Sequence, residues 1–149
     1  MALQKNVQIK NRKARFEYEI LEKFTAGIVL RGTEIKAIRE GKASIAESFC
    51  EFANGELFVI NMTIQEYSHA THYNHTPKSE RKLLLTRREL KKLEKEVKNS
   101  GLTIIPLLLF TNEKGLAKLE IALCKGKKLY DKREVMKERD TKRDLSRIK

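Results

Sequence analysis

Three histidines, His69, His72 and His75, recur at intervals of three in the polar stretch SHATHYNHTPKSE. Imidazoles at this spacing do not share one helix face, but a loop could turn them onto a common metal ion. The stretch supplies no cysteine and no carboxylate cluster to complete such a site. They read as exposed loop histidines, and neither a metal nor a cofactor is expected. Cys50 and Cys124 lack CxxC spacing, and each stands in an apolar, strand-like segment. They read as core thiols. Ser44, Ser48 and Ser79 sit in no nucleophile elbow, and the glycines form no GxGxxG or phosphate loop. The carboxylates are interspersed with Lys and Arg, the pattern of a solvated face. No catalytic residue is assigned, and the chain is not expected to be an enzyme.

The groups with a visible task are cationic. Lys and Arg number 32 against 20 Asp and Glu, a net charge of +12. Asn11-Arg12-Lys13-Ala14-Arg15, Arg81-Lys82 and Gly126-Lys127-Lys128 form three separate basic clusters. Residues 125–149 alone hold eleven Lys and Arg against five Asp and Glu, half of the net charge. Cations in such number attract polyanions, because neutralising phosphates releases condensed counterions. RNA is favoured over duplex DNA: no recognition-helix motif is evident, and small barrels hold RNA by shape, phosphates and stacking. An anionic membrane is disfavoured, because the basic arm carries no coherent apolar stripe. No apolar run approaches the ~20 residues that span a bilayer, and the first residues lack the apolar stretch of a signal peptide. A cytoplasmic protein is the expectation.

Elements must position these groups. Phe16, Tyr18 and Ile20 alternate with Glu17 and Glu19, a strand period, and Gly27 farther along suggests a bulge or a close backbone approach. Thr33 reads as the N-cap of a two-turn helix with Ile35 and Ile38 inward and Gly41 at its end. Asn54-Gly55 between Phe49–Ala53 and Leu57–Ile60 predicts a type I′ hairpin, and Met62–Tyr67 would extend the meander. Residues 68–80 read as loop. Thr86 and Glu89 form a capping box ahead of Leu90, Leu93 and Val97, and Gly101 stops that helix. Leu102–Phe110 reads as a buried strand with Pro106 at an edge or bulge, Asn112–Gly115 as a turn, and Ala117–Leu123 as the last core strand. This order predicts a mostly β fold: an OB-like closed antiparallel barrel of about six strands with flanking helices, over residues 1–124. Periodicity alone leaves an open α+β sandwich almost equally compatible. Residues 125–149 read as a basic tail with Glu138 and Lys142 at i,i+4, a pair worth only ~0.2–0.5 kcal/mol. Such a tail is expected to be disordered when free and helical against a phosphate-lined surface.

Several segments, in this order, resemble the SmpB family, the SsrA-binding proteins of bacteria: NRKARFEY from Asn11, AGIVLRGTEIKAIR from Ala26, Gly41-Lys42-Ala43, NMTIQEY from Asn61, RKLLL from Arg81, GLTIIP from Gly101 and GKKLYDKR from Gly126. The resemblance implies a six-stranded OB-like barrel that binds the tRNA-like domain of transfer-messenger RNA and performs no chemistry itself. It implies trans-translation on stalled ribosomes, with elongation factor Tu in the complex, a monomeric protein, and the tail in the empty mRNA channel beside small-subunit rRNA at the decoding centre. Asn11, Leu84 and Lys118 fall where the family contacts that RNA. Thr25 stands at a position that is often acidic in the family, and Ser79 where a basic residue is common. The candidate RNA contacts are Asn11, Arg12, Lys13, Thr25, Gly27, Thr33, Glu34, Lys36, Arg81, Lys82, Leu84, Lys118, Lys127 and Lys128. The candidate decoding-centre residues are Tyr130, Asp131, Lys132 and Arg133, with Tyr130 suited to stacking on an rRNA base. Two other classes compete: a structural ribosomal protein with a basic extension, and an RNA-modifying enzyme, for which no catalytic motif is found.

Overall fold

The structure, a computed structural model, describes residues 7–70, 73–98 and 101–126. Its elements in chain order are β1 (Gln8–Lys10), α1 (Arg12–Glu17), β2 (Tyr18–Ile28), α2 (Gly32–Arg39), β3 (Ala43–Ser44), β4 (Phe49–Ala53), β5 (Glu56–Ile60), β6 (Thr63–Ile64), β7 (Arg81–Leu84), α3 (Arg87–Val97), β8 (Leu102–Thr111) and β9 (Ala117–Gly126). The chain is mostly β. Strands β8, β4, β5, β7, β2 and β9 each pair with the next, and β9 pairs back onto β8, so six strands close a ring. All of these pairings are antiparallel. Strand β1 adds to the stretch of β8 that β4 leaves free, through Gln8–Phe110 and Lys10–Leu108.

Alternation decides what the ring encloses. Phe24, Ala26, Val59, Leu83, Ile104, Leu109, Leu119 and Ile121 are buried in one core. Burying each such Leu or Ile stabilises by roughly 1.5–3 kcal/mol. Helix α2 adds Ala37 and Ile38, and α3 adds Leu93, all fully buried. On the opposite face of β8 and β9, Ile105, Leu107, Ala122 and Cys124 form a second cluster with Ala14 of α1. Both cysteines are free and buried. Burial pushes the Cys124 thiol up to about 11 and raises Cys50 further.

Local signals account for most boundaries. Asn54 and Gly55 have φ of 53° and 78°, as the type I′ turn between β4 and β5 requires. Thr86 Oγ1 accepts from the Glu89 amide at 3.2 Å, and Glu89 accepts from the Thr86 amide at 3.1 Å, closing the expected capping box. A bulge falls between Pro106 and Leu108, where the proline predicts one. The last core strand continues past Leu123 to Gly126.

Three expectations are corrected. The strand expected from Phe16 begins at Tyr18, because residues 12–17 are helical. Arg, Lys, Ala and Glu are good helix formers, Asn11 Oδ1 caps the Ala14 amide at 3.2 Å, and Ala14 is drawn into the second cluster. Thr33 is not the N-cap of α2: Arg31 is, and the Glu34 carboxylate accepts from its amide at 2.9 Å. Met62–Tyr67 does not extend the meander, since β6 leaves the ring to pair with β3.

Candidate nucleic-acid interface

The outer surface of the ring carries one continuous cross-strand row. Leu84 of β7 pairs with Gly27 of β2, Gly27 with Lys118 of β9, Lys118 with Phe110 of β8, and Phe110 with Gln8 of β1. Paired residues share a face, so five side-chain positions line up across five strands. Gly27 is the low point of this row. A Cβ there would lie 3.4 Å from Leu84 Cβ and 3.7 Å from Lys118 Nζ, so its absence leaves a notch between an apolar and a cationic side chain. Gly27 thus marks the close approach, while the bulge of β2 lies between Ile20 and Glu22. Leu84 is 52% exposed, Leu116 of the adjoining turn 53% and Val29 51%. Single exposed aliphatics are ordinary, but several around an unpaired ammonium suit a nucleoside face beside a phosphate. Lys118 forms no salt bridge among the described residues.

A second row runs beside the first: Thr25 opposite Glu120, and Glu120 opposite Leu108, with Lys10 beyond. Lys23 Nζ lies 3.6 Å from Glu120 and Lys82 Nζ 3.0 Å from Glu56. Such exposed pairs are worth ~0–1 kcal/mol and exchange readily for phosphate. Thr25, Gly27, Leu84 and Lys118 therefore fall in two adjoining rows, while Lys82 lies beside Val29. Lys36 is exposed on α2, at the end of the ring where β2 finishes. Arg12 and Lys13 are exposed on α1. Lys13 sits 3.0 Å from Glu47 and 3.8 Å from Glu17, and the Glu47 hydrogen bond and charge hold its ammonium above the usual lysine range.

Four of the candidate contacts make bonds within the fold. Asn11 is 4% exposed, and its amide donates to the Ile45 and Pro106 carbonyls at 3.1 and 2.9 Å while its oxygen caps α1. Glu34 and Arg81 form a buried ion pair. Arg81 also donates to the carbonyls of Met62, Thr76 and Pro77, so its fork is spent on tying down the chain before β7. Thr33 is half-buried against His75, whose Nδ1 lies 2.9 Å from its hydroxyl. Nε2 of His75 lies 2.9 Å from the carbonyls of Ile64 and Gln65, so it carries the ring proton and Nδ1 accepts from Thr33. The expectation of exposed histidines fails at His75, which is 2% exposed, while His69 is exposed. His72, Lys127, Lys128, Tyr130, Asp131, Lys132, Arg133 and the expected helix of the tail lie outside the described residues.

Lys10 and Phe110 join the two rows without a signal of their own in the sequence. The run Leu102–Phe110 reads as uniformly buried, yet Phe110 stands outward beside Lys118. The alternation of Lys118 and Glu120, carried across the Asn112–Gly115 turn, is the signal that could have exposed it. Among the described residues no helix is long and apolar enough to cross a membrane.

The family model described as SmpB protein matches residues 8–149. The chain belongs to the SmpB family. Among its relatives, the SsrA-binding protein of Christiangramia forsetii is 73% identical over 146 residues, covering 98% of this chain and 93% of that protein. The SsrA-binding protein of Flavobacterium psychrophilum is 70% identical over 145 residues, covering 97% of both. That of Rhizobium etli is 51% identical over 95% of this chain and 89% of its own length. A chain of the solved structure described as "tmRNA-SmpB: a journey to the center of the bacterial ribosome" is similar with a TM-score of 0.69 and 44% identity, covering 82% of this chain and 85% of that one. The row through Leu84, Gly27 and Lys118 is thus a surface feature of a chain whose relatives here are named SsrA-binding proteins.

Proposed function

We propose that this chain binds transfer-messenger RNA and serves trans-translation, as an RNA-binding protein without catalytic activity. The observation that carries the reading is the outward-facing Leu84–Gly27–Lys118–Phe110 row, with Leu84 exposed and the others part-buried, on a member of the SmpB family. An aliphatic wall, a notch and an unpaired ammonium suit the tRNA-like part of that RNA: the ring would seat a nucleoside while Lys118 meets phosphate. The six-strand ring acts on this reading as an OB-like barrel. Thr25 supplies a hydroxyl to ribose or phosphate, and Arg12, Lys13 and Lys82 add exchangeable charge.

The basic segment beyond Gly126 takes a separate role on this reading. It enters the mRNA channel of a stalled ribosome and orders near the decoding centre, with Tyr130 on an rRNA base and Asp131, Lys132 and Arg133 fixing its path. Delivery proceeds in the cytoplasm as one copy of the chain with the RNA and elongation factor Tu. Charge and composition support this division, because the segment is cationic and short of apolar residues. Sequencing RNA recovered with the tagged protein from cells tests the reading. Enrichment of one tRNA-like RNA is the expected result, whereas uniform recovery of rRNA would indicate a resident ribosomal protein.

A further inference from the structure

The loop between β6 and β7 presents a second aromatic surface, away from the Gly27 row. The Tyr67 and His69 rings meet edge to face, with centroids 5.4 Å apart and an interplanar angle of 70°. Lys36 Nζ of α2 lies 5.6 Å from the centre of the Tyr67 ring. Tyr73 is 89% exposed, the most exposed large hydrophobic residue described. Hydrogen bonds join the segments that carry Tyr67 and Tyr73. Asn74 accepts from the Tyr67 amide at 3.1 Å and donates to the Tyr67 carbonyl at 2.9 Å, clamping the two arms together. The next residue is the buried His75, which fixes the same stem to α2 and β6.

The exposed His69 and Tyr73 rings, beside Tyr67 and Lys36, have no purpose in the core. Charge alone does not define this surface, because Glu66 adjoins Tyr67 and offsets Lys36. Ring faces are what it offers, and every base has a π-face to set against them. We infer that Tyr67, His69 and Tyr73, with Lys36, form a stacking platform for unpaired RNA bases, separate from the β2–β9 row. The inference rests on the RNA-binding reading only for the class of its partner. Tyr73 presents the open ring to a base, and Lys36, over the Tyr67 ring, supplies a cation for the adjoining phosphate.

The test uses the full chain with two probes, an octamer of adenylate and an abasic oligomer of equal length and charge, at low salt. On adding the adenylate octamer, the ring protons of Tyr67 and Tyr73 should move upfield by ring-current shielding; the abasic oligomer should leave them in place. The double variant Tyr67→Leu, Tyr73→Leu should bind the octamer about fivefold or more weakly, as loss of base stacking requires, and Tyr67→Phe should bind as the parent. A thermal melt beside each variant reports folding. Equal affinity for the two probes, or octamer binding that survives the double variant, overturns the inference. Transfer-messenger RNA titrated in parallel against Lys118→Ala reports on the β2–β9 row alone, so failure of either reading is seen separately.

Discussion

Lys118 and Leu84 face each other across a residue that has no side chain. Gly27 pairs with both, and its missing Cβ sets the gap between them. The contact proposed for RNA depends on that gap staying empty. Gly27→Ala meets only ordinary van der Waals distances and should fold normally. Gly27→Val fills the notch, and its affinity for transfer-messenger RNA should fall about tenfold or more, as expected for losing a well-seated base contact. Filter binding and thermal melting of the three proteins check this; a valine variant with parental affinity would remove the row from the interface.

Lys118 and Asn11 should separate cleanly. Lys118→Ala leaves the core untouched and should shift stability by less than about 0.5 kcal/mol. Its loss of one phosphate contact should flatten the slope of log affinity against log salt by roughly 0.7–0.9. Asn11→Ala removes the cap of α1 and strands the Ile45 and Pro106 carbonyls, at a cost of about 2–4 kcal/mol. Its salt slope for the folded fraction should match the parent. Urea unfolding beside binding at several salt concentrations gives both readouts.

His75 and His69 should differ in the same way within one loop. His75→Ala leaves the Thr33 hydroxyl and two carbonyls without their partner and should cost about 2–3 kcal/mol. His69→Ala should cost under ~0.5 kcal/mol, because the ring is exposed. Chemical denaturation at pH 7.5 distinguishes them.

The buried thiols give a pH-dependent prediction. Burial holds Cys124 up at about 11 and Cys50 higher, so both are protonated in the fold at neutral pH. Their values when unfolded are about 8.5. A raised folded value means that this contribution is fully present below about pH 8.5 and is lost as pH rises toward the folded value. Stability should therefore fall between pH 8.5 and 11, and Cys124→Ala should show a shallower fall. Iodoacetamide at pH 8 should label both thiols slowly in the native protein and rapidly in urea.

Short-range chemistry was legible in the residues, and chemistry assembled across the chain was not. The Asn54-Gly55 turn, the Thr86–Glu89 box and the bulge at Pro106 each depend on neighbours in sequence, and all three were readable. Helix α1 was hidden because Phe16, Tyr18 and Ile20 happen to alternate with Glu17 and Glu19, while its cap reaches out to Ile45 and Pro106. The polar surroundings of His75 pointed outward, yet its partners come from α2 and β6. Glu34 and Arg81 read as surface charges because each finds its counterion only when β7 meets α2. For the candidate site, Gly27, Leu84 and Lys118 share a row because three strands set them in register, and no spacing within one segment encodes that.

The closure of the ring by β9 has a consequence for how the chain comes into being. Tyr18, at the start of β2, meets Gly126, at the end of β9, and β8 relies on the same last strand along nearly its whole length. The β2–β9 pairing, distant in sequence, forms late, and during synthesis it waits until β9 has emerged. A message broken ahead of the codons for β9 would yield a product with two long, apolar strand edges open to other chains.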